Sequence, residues 1–165
     1  MRVSAAILEY PSTDLVVEDV YVPAPVAGEV LVRTAASGIC HTDVSVADWA
    51  SRAPRDVPIV LGHEGTGTVL ATGAGVDVVA PGQVVVVVPP GFCGACADCL
   101  TGRTYVCRRP PERRGRVLRA RDEAPAWPFL GAGSFSGLML VHASAVVPVD
   151  PCVPAVIPAA AASVA

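Results

Sequence analysis

Four cysteines, Cys93, Cys96, Cys99 and Cys107, stand with two, two and seven residues between them in a chain of 165 residues. Two-residue gaps let successive thiolates turn inward onto one ion. The longer return brings in a fourth sulfur and completes a tetrahedron, the geometry that zinc takes with cysteine ligands. Gly91, Gly94 and Gly102 permit the tight turns such a lobe needs. The rival readings are one or two local disulfides, a redox pair, or an iron–sulfur cluster. Met1-Arg2-Val3-Ser4 runs into an alternating segment with no extended apolar stretch, so no secretion signal is seen and a cytoplasmic location is expected. In a reducing compartment, clustered thiols are metal ligands more often than disulfides.

A second group of chemically capable residues lies in Gly38-Ile39-Cys40-His41-Thr42-Asp43 and Gly62-His63-Glu64-Gly65. A thiolate and an imidazole brought from two strand ends can share a zinc that keeps one coordination position open for water or substrate. Taken singly, Cys40 reads as a small buried hydrophobe and His63 as a satisfied turn histidine. Their company with the four-cysteine lobe is what raises the metal reading.

The elements that must position these residues are mostly strands. Apolar residues make up 52% of the chain and charged residues 16%, and there are 16 Pro and 15 Gly, which favours a globular fold of short strands and turns. Residues 3–8 and 15–21 read as a hairpin, 28–35 as a turn and strand, 42–49 as a short helix, and 66–71 as a strand. Val84–Val88 reads as a strand buried on both faces, and 136–142 and 145–149 as the last two strands. Seven of the twelve arginines fall between Arg108 and Arg121, beside Pro110, Pro111 and Gly115, a composition that reads as an exposed loop. Such a run grips phosphate, coenzyme A or an acidic carrier protein in some proteins and is a solvated loop in most. The chain has no lysine, so no Schiff-base or P-loop lysine chemistry is open to it. The net charge of −3 supplies no basic field for nucleic acid. No apolar run reaches the roughly 18 residues a membrane helix requires.

In order along the chain, Gly38 to Asp43, Leu61 to Gly67, Pro81-Gly82, the Cys93 to Cys107 lobe and Gly133-Ser134-Phe135 resemble the zinc-dependent alcohol dehydrogenases of the medium-chain dehydrogenase/reductase family. The resemblance covers the N-terminal half of that family's usual length. It implies a GroES-like fold: mainly β, a partly closed β-barrel with short helices and a zinc-binding loop. It also implies a catalytic domain over residues 1–153, with residues 154–165 an apolar tail where the family's nucleotide-binding domain would begin. By the resemblance, Cys40 and His63 bind a catalytic zinc, Glu64 is its neighbour or an extra ligand, and Thr42 carries the alcohol proton toward solvent. Cys93, Cys96, Cys99 and Cys107 bind a structural zinc. Zinc then polarises an alcohol or carbonyl oxygen while hydride passes to NAD(P).

Several positions depart from the family pattern. No G-x-G-x-x-G dinucleotide fingerprint occurs, so NAD(P) is expected only if another chain supplies a nucleotide-binding domain. Ser163 falls near the column of the third ligand, a cysteine in the family, and Cys152 is either a substitute ligand or, on the simpler reading, a core thiol. Ser45 stands where many members keep a relay histidine, and Gln83 where an aspartate follows Pro-Gly. A zinc held by one thiolate and one neutral imidazole keeps a net charge near +1, and Glu64 would neutralise it. The readings carried forward are an alcohol dehydrogenase-like domain, a stand-alone zinc enzyme of hydrolysis, dehydration or cyclisation, and a non-catalytic zinc scaffold. A small-molecule substrate and a homodimer or partner protein are expected, and Trp49 reads either as part of the pocket wall or, equally well, as a core or interface tryptophan. His142 has no assigned partner.

Overall fold

Alternation at the start of the chain builds the first sheet. In the computed structural model, which describes residues 1–10, 13–48, 58–111, 117–150 and 152–154, Arg2–Leu8 (β1) buries Ala5, Ile7 and Leu8. It runs antiparallel to Val16–Tyr21 (β2), with Arg2 opposite Tyr21 and Ile7 opposite Val16. The remaining elements are Glu29–Ser37 (β3), His41–Ala47 (α1), Ile59–Val60 (β4), Gly65–Thr72 (β5), Val84–Val87 (β6), Ala97–Leu100 (α2), Leu118–Arg119 (β7), Trp127–Pro128 (β8), Leu138–His142 (β9) and Val146–Pro148 (β10). They form two five-stranded sheets, ordered β7-β2-β1-β4-β8 and β10-β6-β5-β3-β9. The protein is mainly β, as the Pro and Gly content predicts.

β3 is buried on both sides, and this joins the sheets. Val30 and Val32 enter a core with Val69, Val85, Val87, Met139 and Val141 inside the second sheet. Leu31, pointing the other way, enters a core with Ile7, Val20, Leu138 and Leu140 that spans both sheets. Each such side chain contributes about 1.5–3 kcal/mol on burial. Gly67 on β5 lets the backbones close up, because a Cβ there would lie 2.0 Å from the Arg33 carbonyl oxygen. A third core of Leu8, Val46, Ile59 and Leu61, edged by Trp127, Phe129 and Phe135, clamps α1 against β1 and β4.

Two expectations change. β6 is not buried on both faces: Val85 and Val87 are buried, Val84 and Val86 are half-buried, and Val88 is exposed. Antiparallel neighbours on either side give β6 a core on one face only, where the two-faced burial of a parallel sheet needs a layer on each. The Arg108–Arg121 segment is also more than an exposed loop. Leu118 and Arg119 pair with β2, and Arg119 is only 6% exposed. It meets Glu9 at 3.1 Å, Glu18 at 3.0 Å and Asp122 at 3.3 Å, while Arg121 joins the same three carboxylates. These arginines answer the chain's own acids, and Arg113, Arg114 and Arg116 lie outside the described residues, as do Trp49, Ser163 and residues 155–165.

Candidate metal centres

The lobe after β6 begins at Cys93 and turns on Gly94 and Gly102, both with positive φ (69° and 80°), where a side chain would be strained. Cys96 caps the single turn of α2, Cys99 lies within it, and Cys107 returns after a 3-10 turn at Thr104–Val106. The four Sγ atoms lie within 4.8 Å of one another. Individual separations are 3.4 Å for Cys96–Cys99, 3.5 Å for Cys93–Cys107 and 3.9 Å for Cys93–Cys99. A tetrahedron with zinc–sulfur bonds of about 2.3 Å has edges of about 3.8 Å, so these distances fit one zinc ion among four thiolates. Backbone N–H groups of Cys99 and Arg108 aimed at Cys96 lower its thiol to about 6, while burial and the Cys96 sulfur push Cys99 up to about 12. Backbone donors thus favour the thiolate at Cys96, and burial disfavours it at Cys99, a cost that a bound cation would offset.

The second centre is assembled from distant segments. Cys40 lies in the link after β3 at the N-cap of α1, and His63 and Glu64 fill the link between β4 and β5. A ligand atom from each of Cys40, His63 and Glu64 lies within 4.8 Å of the other two. Gly62 sets the chain direction before His63: its φ is +84°, and a Cβ there would sit 2.4 Å from Ser134 Oγ. Ser134 N in turn donates to the Gly62 carbonyl at 3.0 Å, and Gly38 N donates to that of Glu64 at 2.9 Å. His63 packs edge-on against Phe129, with centroids 5.4 Å apart at 78°. Thr42 is exposed, its Oγ1 accepting from Cys40 Sγ at 3.5 Å.

Asp43 ties these pieces together, a role the sequence reading did not assign. It is 2% exposed. Oδ2 accepts from Cys40 N at 3.1 Å, and Oδ1 accepts from Gly62 N at 2.9 Å and lies 3.3 Å from His63 Nδ1. With Nδ1–H directed at the carboxylate, Nε2 is left as the ligand nitrogen, the arrangement that orients metal-binding histidines. The Cys40-x-x-Asp43 spacing is that of a capping box, and this was the signal available. The contact of Phe129 with His63 has no local signature.

Residues 26–151 match the alcohol dehydrogenase GroES-like domain. The chain belongs to that family. It is 33% identical over 159 residues to alcohol dehydrogenase class-3 of Zea mays, spanning 91% of this chain and 41% of that protein. Among solved structures, an alcohol dehydrogenase zinc-binding domain protein from Burkholderia ambifaria superposes with a TM-score of 0.87 at 32% identity, over 95% of this chain and 44% of that one. Benzyl alcohol dehydrogenase from Acinetobacter calcoaceticus gives 0.81 at 30% identity, over 94% and 43%. The GroES-like partly closed barrel is therefore the fold, and the chain spans about two-fifths of the length of the relatives it matches. This alcohol dehydrogenase-like kinship and the cysteine cluster together point to zinc.

Other residues of this GroES-like domain fall elsewhere. Cys152 is exposed, with its amide donating to Asp150 Oδ1 at 2.8 Å. It is neither a core thiol nor one of the clustered ligand atoms, because the chain has left β10 and passed to the surface by that point. His142 caps the turn at Ala143–Ala145: its Nδ1 accepts from Ser144 N at 3.1 Å and lies 2.8 Å from Ser144 Oγ. Gln83 accepts from Ala80 N at 2.7 Å, closing the turn into β6. No helix among the described residues is long and apolar enough to cross a membrane.

Proposed function

We propose that residues 1–153 form a zinc-dependent alcohol dehydrogenase-like catalytic domain, and that the Cys40, His63 and Glu64 cluster is its reactive centre. The observation that carries this reading is the convergence of those three ligand atoms onto one point, backed by Asp43. A bound zinc ion would supply Lewis acidity to an alcohol or carbonyl oxygen. Cys40 would hold it through sulfur and His63 through Nε2, with Asp43 fixing the imidazole tautomer. Glu64 brings a carboxylate that would cancel the charge left by one thiolate and one neutral imidazole. Thr42, at the exposed rim, offers a hydroxyl through which the substrate proton can leave toward solvent. Cys93, Cys96, Cys99 and Cys107 would hold a second zinc whose place is structural, since four thiolates leave no open position. The sequence lacks a dinucleotide fingerprint, so the hydride acceptor NAD(P) would be held by a nucleotide-binding domain that another chain supplies, and a second copy or partner protein is expected.

Metal analysis tests the proposal directly. The purified chain is expected to carry two zinc ions, and Cys40→Ala to carry one, with the lobe ion retained. A wild-type chain holding a single zinc, all of it lost in Cys96→Ser, would end the two-centre reading.

A further inference from the structure

The first arginine of the Arg108–Arg121 run is drawn into the lobe by an acid that no motif assigns a role. Asp98 lies between Cys96 and Cys99 on α2 and is 4% exposed. Both its carboxylate oxygens are engaged: Oδ2 accepts from Arg108 Nε at 2.6 Å, and Oδ1 lies 3.1 Å from Arg103 Nη2. Its carbonyl accepts from Arg103 N at 2.9 Å, Thr101 N at 3.2 Å and Thr101 Oγ1 at 3.0 Å. The arginine side chains are themselves well exposed, 59% for Arg103 and 76% for Arg108. A buried carboxylate that accepts charge-assisted hydrogen bonds from two exposed arginines is a fixed anchor for two mobile groups.

The sequence positions of those arginines give the anchor its consequence. Arg103 lies at the turn after α2, and Arg108 directly follows Cys107, so Asp98 fastens the cysteines of α2 to the end of the loop that returns the fourth sulfur. Arg108 also aims its backbone N–H at the Cys96 sulfur, so holding its side chain holds that donor in register. We propose that Asp98 is a positioning residue of the four-thiolate site, clamping the Cys107 return against α2 through Arg108 and, less strongly, Arg103. This rests on the proposed reading of the lobe as a zinc site. Groups placed behind metal ligands typically change metal affinity by 10–100-fold when removed. The same magnitude is expected here, because without the clamp the fourth sulfur must be recruited from a looser loop.

The test uses the full chain, titrated with zinc against a chromophoric chelator and separately loaded with cobalt(II). Asp98→Ala should weaken the lobe ion by roughly 10–100-fold and raise its release rate, while the ion bound in Cys40→Ala backgrounds stays assignable to the lobe. Arg108→Ala changes only an exposed side chain, so the barrel keeps its core; it should weaken the same ion, and Arg103→Ala should do so less. If the carboxylate and guanidinium act as one clamp, Asp98→Ala combined with Arg108→Ala will lose little more than either alone, and Arg108→Lys will restore part of the affinity. The cobalt-loaded variants should show weakened or shifted thiolate charge-transfer bands. Unchanged affinity in both single variants, or fully additive losses in the double variant, would overturn the clamp. A wild-type chain that takes up no lobe ion would instead overturn the zinc reading beneath it.

Discussion

The two metal centres differ in how far the chain must travel to build them. All four sulfurs of the lobe lie within residues 93–107, and short-range turns at glycine bring them together. The other centre takes Cys40 from the link between β3 and α1, His63 and Glu64 from beyond β4, and Phe129 from a segment that follows the lobe in sequence, so it exists only once the barrel cores have formed. A local site can gather its ligands around an ion in a partly folded chain, and metal binding then drives its own folding. A distributed site draws on the stability of the whole domain. One centre organises chain; the other is organised by it.

Predictions follow from pressing on that contrast. The largest effect is expected at the lobe: Cys96→Ser should remove its zinc, lower the melting temperature and expose residues 93–107 to protease, while metal at Cys40 and His63 stays bound. Loss of both ions together, read by metal analysis, would show that the centres are coupled and the contrast false. Next comes Asp43→Ala, which strips the orienting partner from His63 and the cap from α1. It should reduce affinity at that centre by roughly 10–100-fold and cost about 1 kcal/mol of stability, measured by chelator competition and urea unfolding. Affinity at the four cysteines should not move.

The smallest effect belongs to Glu18 on β2, which pairs with Arg119 and Arg121 and belongs to neither metal-binding cluster. Burial raises its carboxyl above 4.5, more than Arg121 lowers it, with Glu9 and Asp122 adding to the rise. A raised folded-state value means the folded protein binds the proton more tightly than the unfolded chain. The associated stability is present at pH below 4.5 and is lost as pH climbs through the folded value. Glu18→Gln should therefore melt with the wild type at acidic pH and slightly above it at neutral pH, with zinc content equal to the wild type's at neutral pH. A variant less stable than wild type at pH 7 would show that the pairs with Arg119 and Arg121 outweigh burial.

What could be read from the sequence follows the same division between local and distant. Residues 93–107 announce themselves because ligand spacing within a loop is written in the chain. Strands β3 and β9 were visible from the runs Val30-Leu31-Val32 and Leu138-Met139-Leu140-Val141, and β5 from its small and β-branched residues between glycine turns. The two-residue strands β4, β7 and β8 were not, since two residues show no periodicity; their existence is decided by what lies alongside. Asp43 and Asp98 were passed over because a buried carboxylate looks like any other until its partners are known. Asp43 at least carried the capping-box spacing; Asp98, between two cysteines, carried none. Cys152 was misplaced because free cysteine is so often buried that its type points to the core even where the chain has left it.

The pairing of Glu29 with His142 has a meaning in time as well as space. The two partners are separated by 142 − 29 = 113 residues of sequence. At about 5–20 residues per second, a growing chain would carry β3 for roughly 5–20 s before β9 has been made. Through that interval the strand that joins the two sheets has an open side, with Leu31 and Val32 uncovered toward an absent neighbour. The four cysteines of the lobe are complete well before then. Any ion they capture would fold a compact knot in the nascent chain while the barrel is still waiting for its last wall.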